Sequence, residues 1–380
     1  MNIYPLILHI QIKKEILTKH LNYAIKGIST KNLRPILNCI KFELTNEGLY
    51  LLSSDNDIAI KTFINKSYIE EDYTCGSFVV YGRYIYDIVR KMPDEIISFE
   101  EVIDSKLFIS TTNSSFTLNC NNVSDFPNLE LEEIKEPIIL STKLLKNIVN
   151  QTSFSASNQE SRPVLTGINI KIKDDTLECT ATDSYRLSKK IIKLEEKVEN
   201  DVNIIIPTKN IIELTKMCDE ENEDLEIHIF SNKIIFKFGT IIMLSRLIEG
   251  NYPDTNTFIN NEVNISFNVD CHDFYSLLDR VSLLSIEEEK NTIKLETESN
   301  LAIVSSNIPE IGNVLEKIEI EKNIDADIKI AFSSKYMMDA IKSLDCEKIN
   351  LSFNCETKPI IIRNCDDDSL IQVISPIRTY

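Results

Sequence analysis

The sequence predicts an α+β chain of three similar domains, each with two helices packed on antiparallel sheets. Three observations carry that prediction. One amphipathic helix is written three times, a second helix pattern precedes each copy, and period-two runs with turns lie between them.

The repeated helix comes first. "RYIYDIVRKM" from Arg83, "KNIIELTKMC" from Lys209 and "KYMMDAIKSL" from Lys335 start at equal intervals (209 − 83 = 335 − 209 = 126). Ile85, Ile88, Val89 and Met92 stand at i, i+3, i+4 and i+7, as do Ile211, Leu214, Thr215 and Cys218, and Met337, Ala340, Ile341 and Leu344. At about 100° per residue, Arg83 and Arg90 fall within about 20° of each other, opposite that stripe. Lys209 with Lys216, and Lys335 with Lys342, do the same. Asp87, Glu213 and Asp339 stand four residues after the first base of each pair. A solvated helix with i, i+4 pairs would explain one such face, and threefold recurrence weakens that explanation.

The second helix pattern is looser. It reads "KKEILTKHLNYAIKGI" from Lys13, "STKLLKNIVNQTSFSAS" from Ser141 and "CHDFYSLLDRVSLLS" from Cys271, with starts about 128 to 130 residues apart. The strands follow by alternation. In "INIKIKDDTLECTAT", Ile168, Ile170 and Ile172 alternate, Asp174-Asp175 turns, and Leu177, Cys179 and Ala181 alternate back. "IKFELTNEGLYLLSS" and "NTIKLETESNLAIVSSN" repeat this hairpin in the outer thirds. The expected domains are 1–134, 135–262 and 263–380, each large enough for its own core.

Charge is segregated along this pattern. The six helix segments hold fourteen bases and six acids, a surplus of eight, in a chain whose net charge is −18. A basic helical surface in an acidic body suits a polyanion held on the helices and repelled elsewhere. Other classes find no support. The nine Cys include no Cys-x-x-Cys, the four His (His9, His20, His228, His272) lack metal spacing, and no phosphate-binding Gly loop occurs. No metal or cofactor is expected. The run Asp366 to Asp368 lies between two apolar runs and reads as a hairpin turn. The start reads as a strand rather than a signal peptide, no apolar run approaches the ~18 residues of a membrane span, and the cysteine usage suits a reducing cytoplasm.

"CTATDSYRLSKK", Cys179 to Lys190, is the densest polar stretch. Asp183 has counterparts in Asp55 of "LLSSDNDIAI" and Asn307 of "VSSNIPEIG", so its Thr-Asp half marks a strand end in every repeat. Only the middle copy continues Ser184, Tyr185, Arg186, Leu187.

With "SRPVLTGINIKI", "SRLIEGNYPDT" and the terminal "VISPIRTY", this stretch resembles the bacterial DNA polymerase III beta subunit, the DNA sliding clamp. "LRPILNCIKF", "SDFPNL" and "SSNIPEIG" extend the resemblance end to end, and the final Arg-Thr-Tyr is of Gram-positive type. The resemblance implies a head-to-tail homodimer forming a closed ring of six clamp domains, helices inside and sheets outside. It implies a non-catalytic processivity factor, cytoplasmic and nucleoid-associated, that encircles double-stranded DNA without sequence specificity. Its partners would be a clamp loader, the replicative polymerase and other proteins carrying clamp-binding peptides with a Gln and spaced Leu/Phe anchors.

Site residues follow from the same resemblance. Lys31, Arg90, Lys91, Met92, Gln159 and Lys209 match DNA-contact positions, joined by the helix bases Arg83, Lys216, Lys335 and Lys342. The partner-peptide cleft would comprise Leu165, Thr182, Ser184, Tyr185, Arg186, Leu187, Pro253, Thr257, Phe258, Val373, Pro376, Ile377 and Arg378. Leu165, Leu187, Pro253 and Ile377 would give apolar area, with Arg186 and the hydroxyls fixing an extended backbone. Most relatives have His where this chain has Tyr185, and some have Arg in place of Thr257. Phe116 and Leu118 would pack on Leu283 and Leu284 of the second chain, although the same four residues also read as core of their own domains. Glu310, Glu316 and Glu321 could pair across that interface. Glu287, Glu288 and Glu289 stand where Gram-positive relatives carry bases. Asp87, Glu213 and Asp339 would moderate the grip on DNA. The rival reading is an architectural DNA binder that holds linear duplex tightly.

Overall fold

The computed structural model describes residues 6–29, 34–93, 95–102, 105–131, 133, 136–218, 224–259, 262–286, 291–324 and 326–378. Three passes through one order of elements account for nearly all of it. The first pass is β1 (Leu6–Lys13), α1 (Lys14–Ala24), β2 (Cys39–Leu44), β3 (Gly48–Ser54), β4 (Ile58–Asn65), β5 (Gly76–Tyr81), α2 (Gly82–Lys91), β6 (Ile96–Val102), β7 (Lys106–Ser110) and β8 (Ser115–Asn119). The second is β9 (Ile138–Ser141), α3 (Thr142–Thr152), β10 (Gly167–Lys173), β11 (Thr176–Thr182), β12 (Arg186–Lys193), β13 (Val202–Pro207), α4 (Thr208–Thr215), β14 (Asp224–Ile229), β15 (Lys233–Phe238) and β16 (Ile241–Arg246). A short α5 (Asn256–Ile259) follows.

The third pass is β17 (Ile265–Asp270), α6 (Cys271–Ser282), β18 (Thr292–Glu298), β19 (Leu301–Ile308), β20 (Gly312–Glu319), an additional β21 (Glu321–Ile324), β22 (Lys329–Ser333), α7 (Ser334–Leu344), β23 (Lys348–Phe353), β24 (Ile360–Asn364) and β25 (Leu370–Ile374). Helices α2, α4 and α7 begin at Gly82, Thr208 and Ser334, which preserves the interval read from the sequence. Helix α4 stops at Thr215, so Lys216 lies just beyond it rather than on its last turn.

The chain packs as two compact units, 1–144 with 213–247 and 145–212 with 248–380. In the first, an eight-stranded sheet runs β5-β2-β3-β4-β16-β15-β14-β9, and a four-stranded sheet runs β1-β6-β7-β8. In the second, the sheets are β13-β10-β11-β12-β25-β24-β23-β17-β21 and β20-β19-β18-β22. Every pairing is antiparallel. Each large sheet therefore crosses from one repeat to the next. β4 pairs β16 with Ile58 opposite Ser245, and β12 pairs β25 with Arg186 opposite Ile374.

The predicted apolar stripes form the cores. Ile85, Val89 and Met92 of the α2 region join Leu17 and Leu21 of α1 over Phe42, Phe78 and Phe99, the first two rings stacked at 4.5 Å. Met337, Ala340, Ile341 and Leu344 of α7 join Phe274, Leu277 and Leu278 of α6 over Phe267 and Phe353. The helix starts are fixed by side chains. Asp270 accepts from the Asp273 amide at 2.9 Å, and Ser333 from the Tyr336 amide at 3.4 Å, each satisfying a donor the helix leaves open.

Candidate functional site: a peptide cleft and a set of basic helix faces

The turn between β11 and β12 is built by Asp183. Its Oδ1 accepts from the amides of Tyr185 (2.9 Å) and Arg186 (3.0 Å), an Asx turn that holds Ser184 at φ +79°. Thr182 closes the base of the turn, its Oγ1 donating to the Arg186 carbonyl (2.6 Å) and accepting from the Ser184 amide (3.1 Å). The Tyr252 hydroxyl accepts from the Thr182 amide at 3.0 Å, and burial pushes that phenol well above its usual range. Asp55 makes the same turn in the first repeat, accepting from the amides of Asp57 (3.1 Å) and Ile58 (3.0 Å), with Asn56 at φ +81°. The Thr-Asp strand end is thus a shared device, and the side chains that follow it are specific.

Those side chains open on a pocket of about 170 Å³ lined by Tyr185, Ser333, Tyr336, Ser375, Pro376, Ile377 and Arg378. Tyr185 is half exposed and Arg378 exposed. Pro253, Thr257 and Phe258 are exposed around α5, whose Asn256 carbonyl side-chain oxygen accepts from Lys189 Nζ at 3.2 Å. Leu165, Leu187 and Val373 are buried, the latter two in a cluster with Ile259, Ile361 and Ile371, so they support the cleft rather than face out of it. Ser333, Tyr336 and Ser375 were missed by sequence reasoning. Ser333 reads as a helix cap and Tyr336 as one residue of a helix, and only the packing brings them beside Tyr185.

Two carboxylates and two aromatic rings surround Arg186. Its Nε donates to Asp183 Oδ2 (3.1 Å) and its Nη1 to Asp339 Oδ2 (2.7 Å), and the guanidinium lies 4.4 Å from the Tyr336 ring centre and 5.5 Å from that of Phe154. Burial, and then the Asp183 charge, raise the Tyr336 phenol above its ordinary value. Behind Arg186 runs a buried polar chain. Ser155 and Ser188 share a hydrogen bond at 2.6 Å, Ser188 donates to Gln372 Oε1 at 2.5 Å, and Gln372 Nε2 donates to Ser343 Oγ (2.8 Å) and the Gln151 carbonyl (3.1 Å).

The basic residues of the helices face solvent, Lys216 doing so from just past the end of α4. Arg83, Arg90, Lys91, Lys209, Lys216, Lys335 and Lys342 are all exposed, as is Gln159. Met92 is the exception. At 4% exposure it is a core residue, and its side chain is not available to a duplex. The acids among these bases are engaged structurally. Glu213 takes Lys26 (3.4 Å) and Lys216 (2.7 Å), Asp339 takes Arg186, and Asp87 takes Arg90 (3.1 Å). Lys31 and Glu287 to Glu289 lie outside the described residues.

At the expected interface, Phe116 and Leu283 are exposed, while Leu118 and Leu284 are partly covered. Ile311 and Leu315, also exposed, extend the apolar surface along β20 and its turn. Glu316 is held by Arg280 through two bonds (2.6 and 2.8 Å) and Glu321 by Lys348 (2.7 Å), so both acids are engaged within their own chain. Among the described residues, Glu133, Glu226 and His228 form one group of metal-ligand type. Lys237 Nζ lies 3.1 and 3.4 Å from its two carboxylates, which makes it an ion-pair network rather than a cation site.

Three repeats of two helices on antiparallel sheets, with basic helix faces, define a sliding clamp, a non-catalytic class of protein. Comparison with known proteins agrees along the whole chain. The N-terminal, central and C-terminal domains of the DNA polymerase III beta subunit match residues 8–130, 139–254 and 256–378. The beta sliding clamp of Staphylococcus epidermidis is 39% identical over 373 residues, covering 97% of this chain and 99% of that one. Among solved structures, the DNA polymerase sliding clamp of Bacillus subtilis superimposes with a TM-score of 0.93 at 35% identity, covering 98% of this chain and all of that one. The DNA polymerase III beta chain of Streptococcus pneumoniae gives 0.92 at 32%, with the same coverage. The chain belongs to the DNA polymerase III beta subunit family, the beta sliding clamps, and the three relatives named above are of Gram-positive type.

Proposed function

We propose that two copies of this chain close head to tail into a ring around duplex DNA and tether the replicative polymerase and other DNA-processing proteins to it. One observation carries the ring. The β4–β16 and β12–β25 seams join the third strand after the first helix of one repeat to the last strand of the next. The strands holding those two positions in the remaining repeats are β20 and β8, and each ends a four-stranded sheet. A second copy supplies the missing partner of each, and two such seams close the ring. Phe116, Leu283, Ile311 and Leu315 would supply its apolar contacts, with Leu118 and Leu284 behind them. The boundaries 1–134, 135–262 and 263–380 are the domains of this reading.

In such a ring Arg83, Arg90, Lys91, Gln159, Lys209, Lys216, Lys335 and Lys342 meet phosphates without base readout. Topological linkage retains the DNA while weak, exchangeable contacts permit sliding. The Tyr185–Arg378 cleft receives partner peptides with apolar anchors. A clamp loader opens the ring, and the protein works in the cytoplasm, at the nucleoid. No helix among the described residues is long and apolar enough to cross a membrane.

The test is retention by topology. The protein is loaded by a clamp loader with ATP onto a nicked plasmid, and the plasmid is then cut once. A ring runs off the linear DNA within the time of diffusion along it. Persistence on the cut molecule rejects the ring in favour of an architectural binder.

A further inference from the structure

Asp339 stands where the cleft meets the basic face of α7. Its Oδ2 accepts from Arg186 Nη1 at 2.7 Å, the shorter of the two carboxylate bonds that Arg186 makes. On its own helix it follows Lys335 by four residues and precedes Lys342 by three, the spacings at which helical side chains meet. Both lysines are exposed, and the Asp339 side chain is itself 39% exposed. One carboxylate therefore stands at helical pairing spacing from two lysines and makes its short bond to Arg186, which lies against the cleft residue Tyr336.

We propose that Asp339 links occupancy of the peptide cleft to the charge of the α7 face, and so to its hold on phosphate; this rests on the clamp reading above. A partner carboxylate that draws Arg186 to itself releases Asp339, which then turns to Lys335 and Lys342 and neutralises part of the face. Phosphate bound by those lysines disfavours that turn and keeps Asp339 on Arg186. Peptide and DNA then oppose each other by the same factor, whichever binds first. Solvent screens a carboxylate this exposed, so the factor lies at the low end of such couplings, on the order of fivefold. A partner without an acid at that place leaves the pair intact and the DNA affinity unchanged. Asp339 touches neither ligand in this account. It is a positioning residue acting through Arg186 and the two lysines.

The experiment uses the full chain and two peptides differing in one group, Gln-Leu-Asp-Leu-Phe and Gln-Leu-Asn-Leu-Phe. Affinity for a short fluorescein-labelled duplex is measured by anisotropy at low salt, alone and with each peptide at saturation. The acidic peptide is expected to weaken duplex binding on the order of fivefold, and the amide peptide to leave it unchanged. Asp339→Asn should abolish the difference between peptides and tighten duplex binding in the absence of either. Asp339→Glu should restore the difference. The same peptide effect in Asp339→Asn as in the unaltered chain, or equal effects of the two peptides, overturns the linkage while leaving the clamp reading in place. Failure of the chain to bind the short duplex at low salt overturns the linkage alone, because the ring retains DNA by topology and is judged by the plasmid test.

Discussion

The backbone amide of Ser375 donates to the carbonyl oxygen of Tyr185 at 2.8 Å. The other compact unit contains the same bond, from the amide of Arg246 to the carbonyl of Asp57, also at 2.8 Å. Both close a seam between repeats just past its last paired residues, beside an Asx turn with one residue at positive φ. The backbone joint is thus made twice, and only the side chains distinguish a cleft from a plain seam. Where the second repeat has Tyr185 and Arg186, the first has Asp57 and Ile58. An acid at the first of those places repels acidic partners, and an Ile at the second leaves no cation to hold an aromatic wall.

Tyr185 is therefore the residue to alter first. Its amide is fixed by Asp183 whatever its side chain, so Tyr185→Ala should leave the turn intact. Loss of a half-exposed aromatic wall should weaken a Gln-Leu-Asp-Leu-Phe peptide about tenfold, a cost of about 1.4 kcal/mol. Fluorescence polarisation reads this directly. Tyr185→His, which keeps a ring at that wall, should recover most of the affinity. Equal binding by all three forms would remove Tyr185 from the cleft.

The seam between copies can be broken without harming either copy. Leu283 is 80% exposed in the single chain, so Leu283→Glu should change the unfolding free energy of one copy by less than about 0.5 kcal/mol. If the proposed seam forms there, the same residue is buried by the second copy, and a carboxylate in its place is left without a partner. Sedimentation velocity should show the mass of two chains for the unaltered protein and of one chain for the variant. A variant that still sediments as two chains would place the interface elsewhere.

The polar chain behind the cleft is a stability element. Gln372 is fully buried, with Ser188 on its carbonyl oxygen and Ser343 and the Gln151 carbonyl on its amide nitrogen. Gln372→Leu keeps most of the volume but takes one hydrogen-bond partner each from buried Ser188 and from partly covered Ser343 and the Gln151 carbonyl. A loss of about 2 to 4 kcal/mol is expected, seen in urea as a lower midpoint with an unchanged slope. Wild-type stability in this variant would mean that water or rearranged serines satisfy those groups.

Much of this architecture is legible in the sequence because periodicity is local. The interval of the basic helices, the Asp174-Asp175 hairpin and the turn around Asp367, whose Oδ1 accepts from the Ser369 amide, all depend on neighbours a few residues apart. The cleft was only half legible. Arg186 and Asp339 are 153 positions apart, and nothing in either segment announces the other. The same distance hides the role of the helix acids. Read alone, Glu213 and Asp339 moderate a basic face, whereas the packing shows Glu213 also holding Lys26 and Asp339 holding Arg186. Ile311 and Leu315 escaped notice because β20 alternates with charges, and alternation reads as an ordinary half-buried strand until its open edge is seen.

Acid should destabilise the first unit through His20. The ring is buried against Thr62, with Nδ1 2.6 Å from its hydroxyl, and it meets the Tyr23 ring edge to face at 5.8 Å. Burial, helped by the neighbouring Lys19 charge, holds its pKa down at about 4, against 6.5 for a free imidazole. Between those values the unfolded chain binds a proton that the folded chain refuses. Stability therefore rises with pH across this window, and falls as the solution is acidified from 6.5 towards 4. A depression of this size corresponds to a loss on the order of 3 kcal/mol by the bottom of the window, levelling off below it. His20→Asn keeps a polar contact to Thr62 without a titrating group. Urea midpoints of the two proteins, measured from pH 7 down to 4, should diverge as the pH falls, with the unaltered chain losing more. Parallel curves would show that His20 takes up its proton in place and that the burial is relieved by local opening.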